Sequence, residues 1–123
     1  MTRILIVDDD ATNQRILEYT LRKAGYEVRI AGNGVEGLAI LKASPVDLVI
    51  LDLAMPVMDG LTMLRQLRAG PSFATTPVIM LTASGDDNML QEIEQVTIQG
   101  YLTKPSSSRV VLAKIQQVLQ GAA

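Results

Sequence analysis

Leu48-Val49-Ile50-Leu51-Asp52 decides how the chain is read: four apolar residues run without a break into a carboxylate. A run this short, apolar at every position and rich in β-branched residues, suits a strand covered on both faces, as in a parallel sheet. Two other stretches have the same form. Ile4-Leu5-Ile6-Val7 runs into Asp8, and Val78-Ile79-Met80-Leu81 runs into Thr82. Weaker strand signals stand at Glu27–Ile30 and near Gly100–Leu102.

The intervening segments carry helical period. Ile16, Leu17, Thr20, Leu21 and Ala24 share one face, and Gly25 follows as a stop. Leu38, Leu41 and Lys42 fall in a second helix ended by Ser44-Pro45. Leu61, Leu64, Leu67 and Arg68 mark a third, closed by Gly70-Pro71. Met89, Leu90, Ile93 and Val96 mark a fourth. Val111, Leu112, Ile115, Val118 and Leu119 mark a fifth, with Ser106, Ser107 or Ser108 as its cap. Five β-α units with right-handed crossovers give a doubly wound α/β sandwich of three layers. The 123 residues fit one domain, 1–123, with 121–123 as a frayed tail.

Composition removes whole classes of chemistry. There is no cysteine and no histidine, so thiol catalysis, thiolate or imidazole metal sites and His-based triads are excluded. Carboxylates, hydroxyls, lysine and backbone are what remains. The net charge is −2 with no Lys/Arg cluster, which gives direct nucleic-acid binding little support. The N-terminal apolar run ends in acids after four residues, so it is neither a signal peptide nor a membrane span. The default location is cytoplasmic.

Ligands of open α/β sheets bind beyond the carboxyl ends of the strands. Those ends carry Asp8-Asp9-Asp10, Asp52, Thr82-Ala83-Ser84 and Lys104-Pro105. Clustered carboxylates repel one another, and a hard divalent cation resolves the conflict. With oxygen donors alone, that cation is Mg²⁺ or Mn²⁺ rather than zinc. A lysine and a hydroxyl on the opposite side suit a phosphate. An aspartate between metal and lysine is then placed as a phosphoryl acceptor.

At this point the sequence resembles the receiver domain of two-component response regulators over essentially its whole length. The resemblance is carried by Ile6-Val7-Asp8-Asp9, by Asp52-Leu53-Ala54-Met55-Pro56-Val57-Met58-Asp59-Gly60, by Thr82-Ala83 and by Tyr101-Leu102-Thr103-Lys104-Pro105. It implies a flavodoxin-like (βα)5 fold with strand order 2-1-3-4-5. It implies Asp52 as the phosphorylated residue, Asp9 as a direct Mg²⁺ ligand and Asp8 as a ligand acting through water. The backbone carbonyl of Ala54 joins the metal. Lys104 pairs with the phosphoryl oxygens, Thr82 is the switch hydroxyl, and the backbone N–H of Ala83 assists it. Tyr101 is the aromatic switch, and the bond before Pro105 is cis. The implied protein is a signalling phosphoacceptor and not an enzyme acting on others. Its donor is a histidine kinase or histidine phosphotransfer protein, and its output is an unknown downstream protein. The implied dimer face is the fourth helix, fifth strand and fifth helix. Thr97-Ile98 and Ser106 depart from the family pattern on that face, and Asn13 resembles hybrid-kinase receivers. A stand-alone regulator and a receiver cut from a larger protein both fit the C-terminus.

The same residues admit other readings. Asp10 suits a helix N-terminus, and Asp59-Gly60 suits a cap and turn into the third helix. Gly32-Asn33-Gly34-Val35-Glu36-Gly37 matches G-x-G-x-x-G, but it follows the second strand rather than the first, which speaks against dinucleotide binding. The expected role is a glycine-eased turn. An aspartyl phosphatase lacks a general acid, since the residue two after Asp52 is Ala54. A phosphorylation-independent interaction domain on the same fold is the remaining alternative.

Overall fold

The apolar runs form the middle of one parallel sheet. The structure is a computed structural model, and it describes residues 2–53, 55, 57–70, 75–82, 98–104 and 107–122. Its strands are β1 (Arg3–Val7), β2 (Glu27–Ala31), β3 (Leu48–Asp52), β4 (Val78–Thr82) and β5 (Gly100–Thr103). Its helices are α1 (Ala11–Lys23), α2 (Gly34–Ala43), α3 (Gly60–Ala69) and α4 (Ser108–Ala122), the last being the fifth helical stretch of the sequence. The fourth stretch, around Met89–Val96, lies outside the described residues. The sheet order is β2-β1-β3-β4-β5, with every pair parallel. This is the expected flavodoxin-like doubly wound arrangement.

Within each continuous apolar run the strand period of two sorts the side chains. Leu5, Val7, Val49, Leu51, Val78 and Met80 pack with Leu41, Leu61, Met63, Leu64 and Leu67 of α2 and α3. Ile4, Ile6, Leu48, Ile50, Ile79 and Leu81 pack with Leu17, Leu21, Val111, Ile115 and Val118 of α1 and α4. Both faces of the central strands are therefore dry, which is why these runs show no polar alternation. Truncating one of the fully buried leucines, isoleucines or methionines among them, such as Leu5, Ile4 or Met63, to alanine costs roughly 2–5 kcal/mol.

The helix starts are set by side-chain caps. Asp10, Asn33 and Asp59 accept the backbone N–H groups of Asn13, Glu36 and Thr62. Ser107, one of the three expected candidates, accepts from Val110 at 3.3 Å at the start of α4. Gly25 ends α1 with φ +97°, a backbone state that glycine adopts without strain. The buried stripe of α1 runs through Leu17 and Leu21, whereas Ile16 is 55% exposed. Ile16 was expected on the inner face. It sits about 100° round the helix from Leu17, and that rotation turns it to solvent.

Candidate functional site

β1 and β3 stop side by side. Their register pairs Ile6 with Ile50 and Val7 with Leu51. One residue further on, the same register puts Asp8 beside Asp52, and both side chains continue the α1/α4 face of the sheet. Asp8 is fully buried and Asp52 only 4% exposed. Asp9 is exposed. Carboxylate oxygens of Asp8, Asp9 and Asp52 lie within 4.8 Å of one another.

Asp8 is held on several sides. Its N–H donates to the Ala31 carbonyl of β2 at 3.0 Å. Its Oδ1 accepts the Asp10 N–H at 2.9 Å. Its carbonyl accepts Gln14 Nε2 at 2.5 Å. Asp10 thus has the modest role expected of it, capping α1 with its side chain while its N–H steadies Asp8.

Lys104 closes the site from β5. Its N–H donates to the Thr82 carbonyl at 2.6 Å, which extends the β4–β5 ladder by one residue. Its ammonium stands 3.0 Å from Asp52 Oδ1 and 3.7 Å from Asp8 Oδ2. Thr82 is buried at the end of β4, and its hydroxyl donates to the Leu102 carbonyl of β5 at 3.5 Å, a long contact. Tyr101 is 52% exposed on β5, with its ring turned to solvent. Ala54, Ala83 and Pro105 lie outside the described residues.

Glycine does more here than the sequence suggested. A Cβ on Gly60 would stand 2.3 Å from the Asp52 carbonyl oxygen and 2.9 Å from Leu53 Cα. The loop after β3 therefore folds back directly under Asp52, tied by the Gly60 N–H to the Leu53 carbonyl at 2.9 Å. The same loop holds Val57 at φ 70°, an uncommon state for a β-branched residue. In the G-x-G-x-x-G stretch, Gly34 makes room for Met58, and Gly37 makes room for Met63 and Val7. Those two glycines serve close packing of α2.

Sequence reasoning passed over Gln14. The signal was present: Gln14, Leu17 and Leu21 lie at i, i+3 and i+7, so a polar residue tops the buried stripe of α1. It also assigned Gly60 a turn and missed its approach to Asp52.

The donor set fits a hard divalent cation. All its ligand atoms are oxygens. Asp8 Oδ2 is buried and finds no hydrogen-bond donor among the described residues. A cation would satisfy it. Beside the acids, a cleft of about 370 Å³ opens between α1 and α4, lined by Asp8, Asn13, Ile16, Leu81, Lys104 and Val111 among others.

The doubly wound parallel sheet thus gathers three carboxylates and a lysine beyond the carboxyl ends of its strands, where open α/β sheets bind ligands. The chain belongs to the response regulator receiver domain family, whose model matches residues 4–116. It is 39% identical over 122 residues to the transcriptional regulatory protein ResD of Bacillus subtilis, covering 98% of this chain and 49% of that protein. It is 33% identical over 119 residues to the chemotaxis protein CheY-3 of Vibrio cholerae, covering 96% of this chain and 92% of that one. Among solved structures, a CheY-like receiver domain protein from Methanospirillum hungatei superposes with a TM-score of 0.93 at 30% identity, covering 99% of this chain and 96% of that chain. The chain spans about half the length of several curated relatives it matches, ResD among them. No helix of the described residues is long and apolar enough to cross a membrane.

Proposed function

We propose that residues 1–123 act as one receiver unit that accepts a phosphoryl group on Asp52, in a Mg²⁺-dependent reaction, from a phosphohistidine on a histidine kinase or phosphotransfer protein. The observation that carries this reading is the Lys104 ammonium 3.0 Å from Asp52 Oδ1, at the edge of the Asp8, Asp9 and Asp52 cluster. An Asp52 carboxylate oxygen attacks phosphorus. The O–P bond forms as the P–N bond to the donor imidazole breaks, and the imidazole leaves with the electron pair and takes a proton from solvent. Lys104 offsets charge on the phosphoryl oxygens. Asp8, Asp9, Asp52 and the Ala54 carbonyl would hold Mg²⁺, which supplies further positive charge against the phosphoryl oxygens when bound, and Mn²⁺ can replace it. These 123 residues contain no histidine, so the phosphohistidine donor lies outside them.

The output reading rests on family likeness. Thr82, assisted by the Ala83 N–H, moves its hydroxyl from the Leu102 carbonyl toward the phosphoryl group. Tyr101 then turns inward from its exposed position, and the surface around β5 and α4 presents a changed face to a protein partner or a second receiver. A cis bond before Pro105 belongs to the same likeness.

Acetyl phosphate with Mg²⁺, followed by intact mass, tests the assignment. Wild type gains one phosphoryl mass, and Asp52→Asn gains none. No gain on wild type, or equal gain on both, refutes it.

A further inference from the structure

We infer that Gln14 is a positioning residue for the metal-binding acids, acting through the peptide that joins Asp8 to Asp9. The inference rests on the proposed role of those acids. Gln14 Nε2 donates to the Asp8 carbonyl at 2.5 Å. A carbonyl can only accept, so the amide must present its nitrogen. The peptide bond is planar, so the Asp8 carbonyl and the Asp9 N–H turn together. Fixing that carbonyl fixes the plane from which the Asp8 and Asp9 side chains depart.

The other two bonds to Asp8 show why a third restraint matters. The Asp8 N–H is fixed on Ala31 and Oδ1 on the Asp10 N–H. Both restraints lie on the strand side or the side chain of Asp8. The Oδ1 bond spans the Asp8–Asp9 peptide, but neither bond holds the carbonyl of that peptide where the chain leaves β1. Gln14 supplies that restraint from α1, and it is itself half-buried on the stripe that packs Leu17 and Leu21 against the sheet. The docking of α1 is thereby tied to the aim of both carboxylates. Lys104 and Asp52 lie outside this path.

Gln14→Met keeps length and burial but removes the donor. Mg²⁺ titrations followed by NMR should show affinity weakened about tenfold, the usual scale for losing a group that orients a ligand. In acetyl phosphate reactions the Mg²⁺ concentration for half-maximal rate should rise by the same factor, while the rate at saturating Mg²⁺ stays at the wild-type level. An unchanged half-saturation point overturns the inference, whether or not the rate falls, because a purely structural loss lowers the rate at every Mg²⁺ concentration. Wild type that takes no Mg²⁺ overturns the metal-site reading beneath it. Should Gln14→Met not fold, the unaltered chain still decides. The Gln14 side-chain amide protons are expected to exchange slowly and to shift as Mg²⁺ is added, and fast exchange with no shift overturns the proposal.

Discussion

The two edges of the sheet treat charge in opposite ways. At the edge where β1 begins, Arg3 is surrounded by partners. Its guanidinium reaches Glu27 at 3.2 Å and Ser44 at 2.6 Å, and its N–H donates to Asp47 at 2.8 Å. Arg29 adds a second cation to Glu27 at 3.0 Å. Opposite charges alternate there, and they tie β1 to β2 and to the segment before β3. At the edge where β1 and β3 end, Asp8, Asp9 and Asp52 converge, and the Lys104 ammonium reaches two of them. Folding alone gives no reason to crowd like charges, which raises the cost of keeping them ionised. One edge pairs its charges off, and the other gathers like charges around a single lysine, as the proposed receipt of a cation and a phosphoryl group requires.

The sharpest way to break that contrast is to disturb the support under Asp52. Gly60→Ala places a methyl group 2.3 Å from a backbone oxygen. No side-chain rotation relieves this contact, so the loop must move. The expected loss is roughly 3 kcal/mol, at the upper end of overpacking costs. In a domain of this size that lowers Tm by on the order of 10 °C. Phosphoryl acceptance from acetyl phosphate should fall with it even well below the melting range, since Asp52 is displaced. A variant that melts with wild type and accepts phosphoryl normally would show that the loop does not need this close approach.

A smaller effect separates repulsion from ligation. Asp9→Asn removes one of the crowded charges from an exposed position. Without Mg²⁺ its melting temperature should equal or exceed that of wild type. Adding Mg²⁺ to ten times the wild-type Kd should stabilise wild type by about 1.4 kcal/mol and leave Asp9→Asn almost unmoved. Melts with EDTA and with Mg²⁺ read both signs. Equal Mg²⁺ shifts in the two proteins would remove Asp9 from the ligand set.

The same contrast explains what could be read from sequence. Runs such as Leu48–Leu51 are legible because burial on both faces leaves no polar residue, and each ends at the functional edge with a residue of distinct chemistry. Strand ends and helix caps follow local rules, so Asp52, Asp10 and Asp59 could be placed in advance, and the cap of α4 narrowed to Ser106, Ser107 or Ser108. The pairing of Asp8 with Lys104 could be anticipated only through sheet order. Two features stayed hidden. The role of Gly60 depends on a tertiary approach to the Asp52 carbonyl, and a glycine in a turn reads the same with or without it. Gln14 acts on a backbone carbonyl that carries no side-chain signature. Ile16 was misread because adjacent helical residues differ by 100°, and a stripe drawn through neighbours cannot say which one is inside.

The smallest expected effect lies at the closed edge. Glu27→Gln leaves Arg3 and Arg29 without their carboxylate, yet these side chains are 27–44% exposed, so solvent screens the loss. Arg3 also keeps its bonds to Ser44 and to the Pro45 carbonyl. The stability cost should be about 0.5 kcal/mol and should shrink further as salt is raised. Mg²⁺ affinity and acceptance at Asp52 should not change, because the altered side chain lies at the far edge of the sheet. Chemical denaturation at low and high salt, alongside the intact-mass assay, measures both. A loss of phosphoryl acceptance without a loss of stability would mean that the two edges communicate through β1, and the division between a structural and a receiving edge would have to be abandoned.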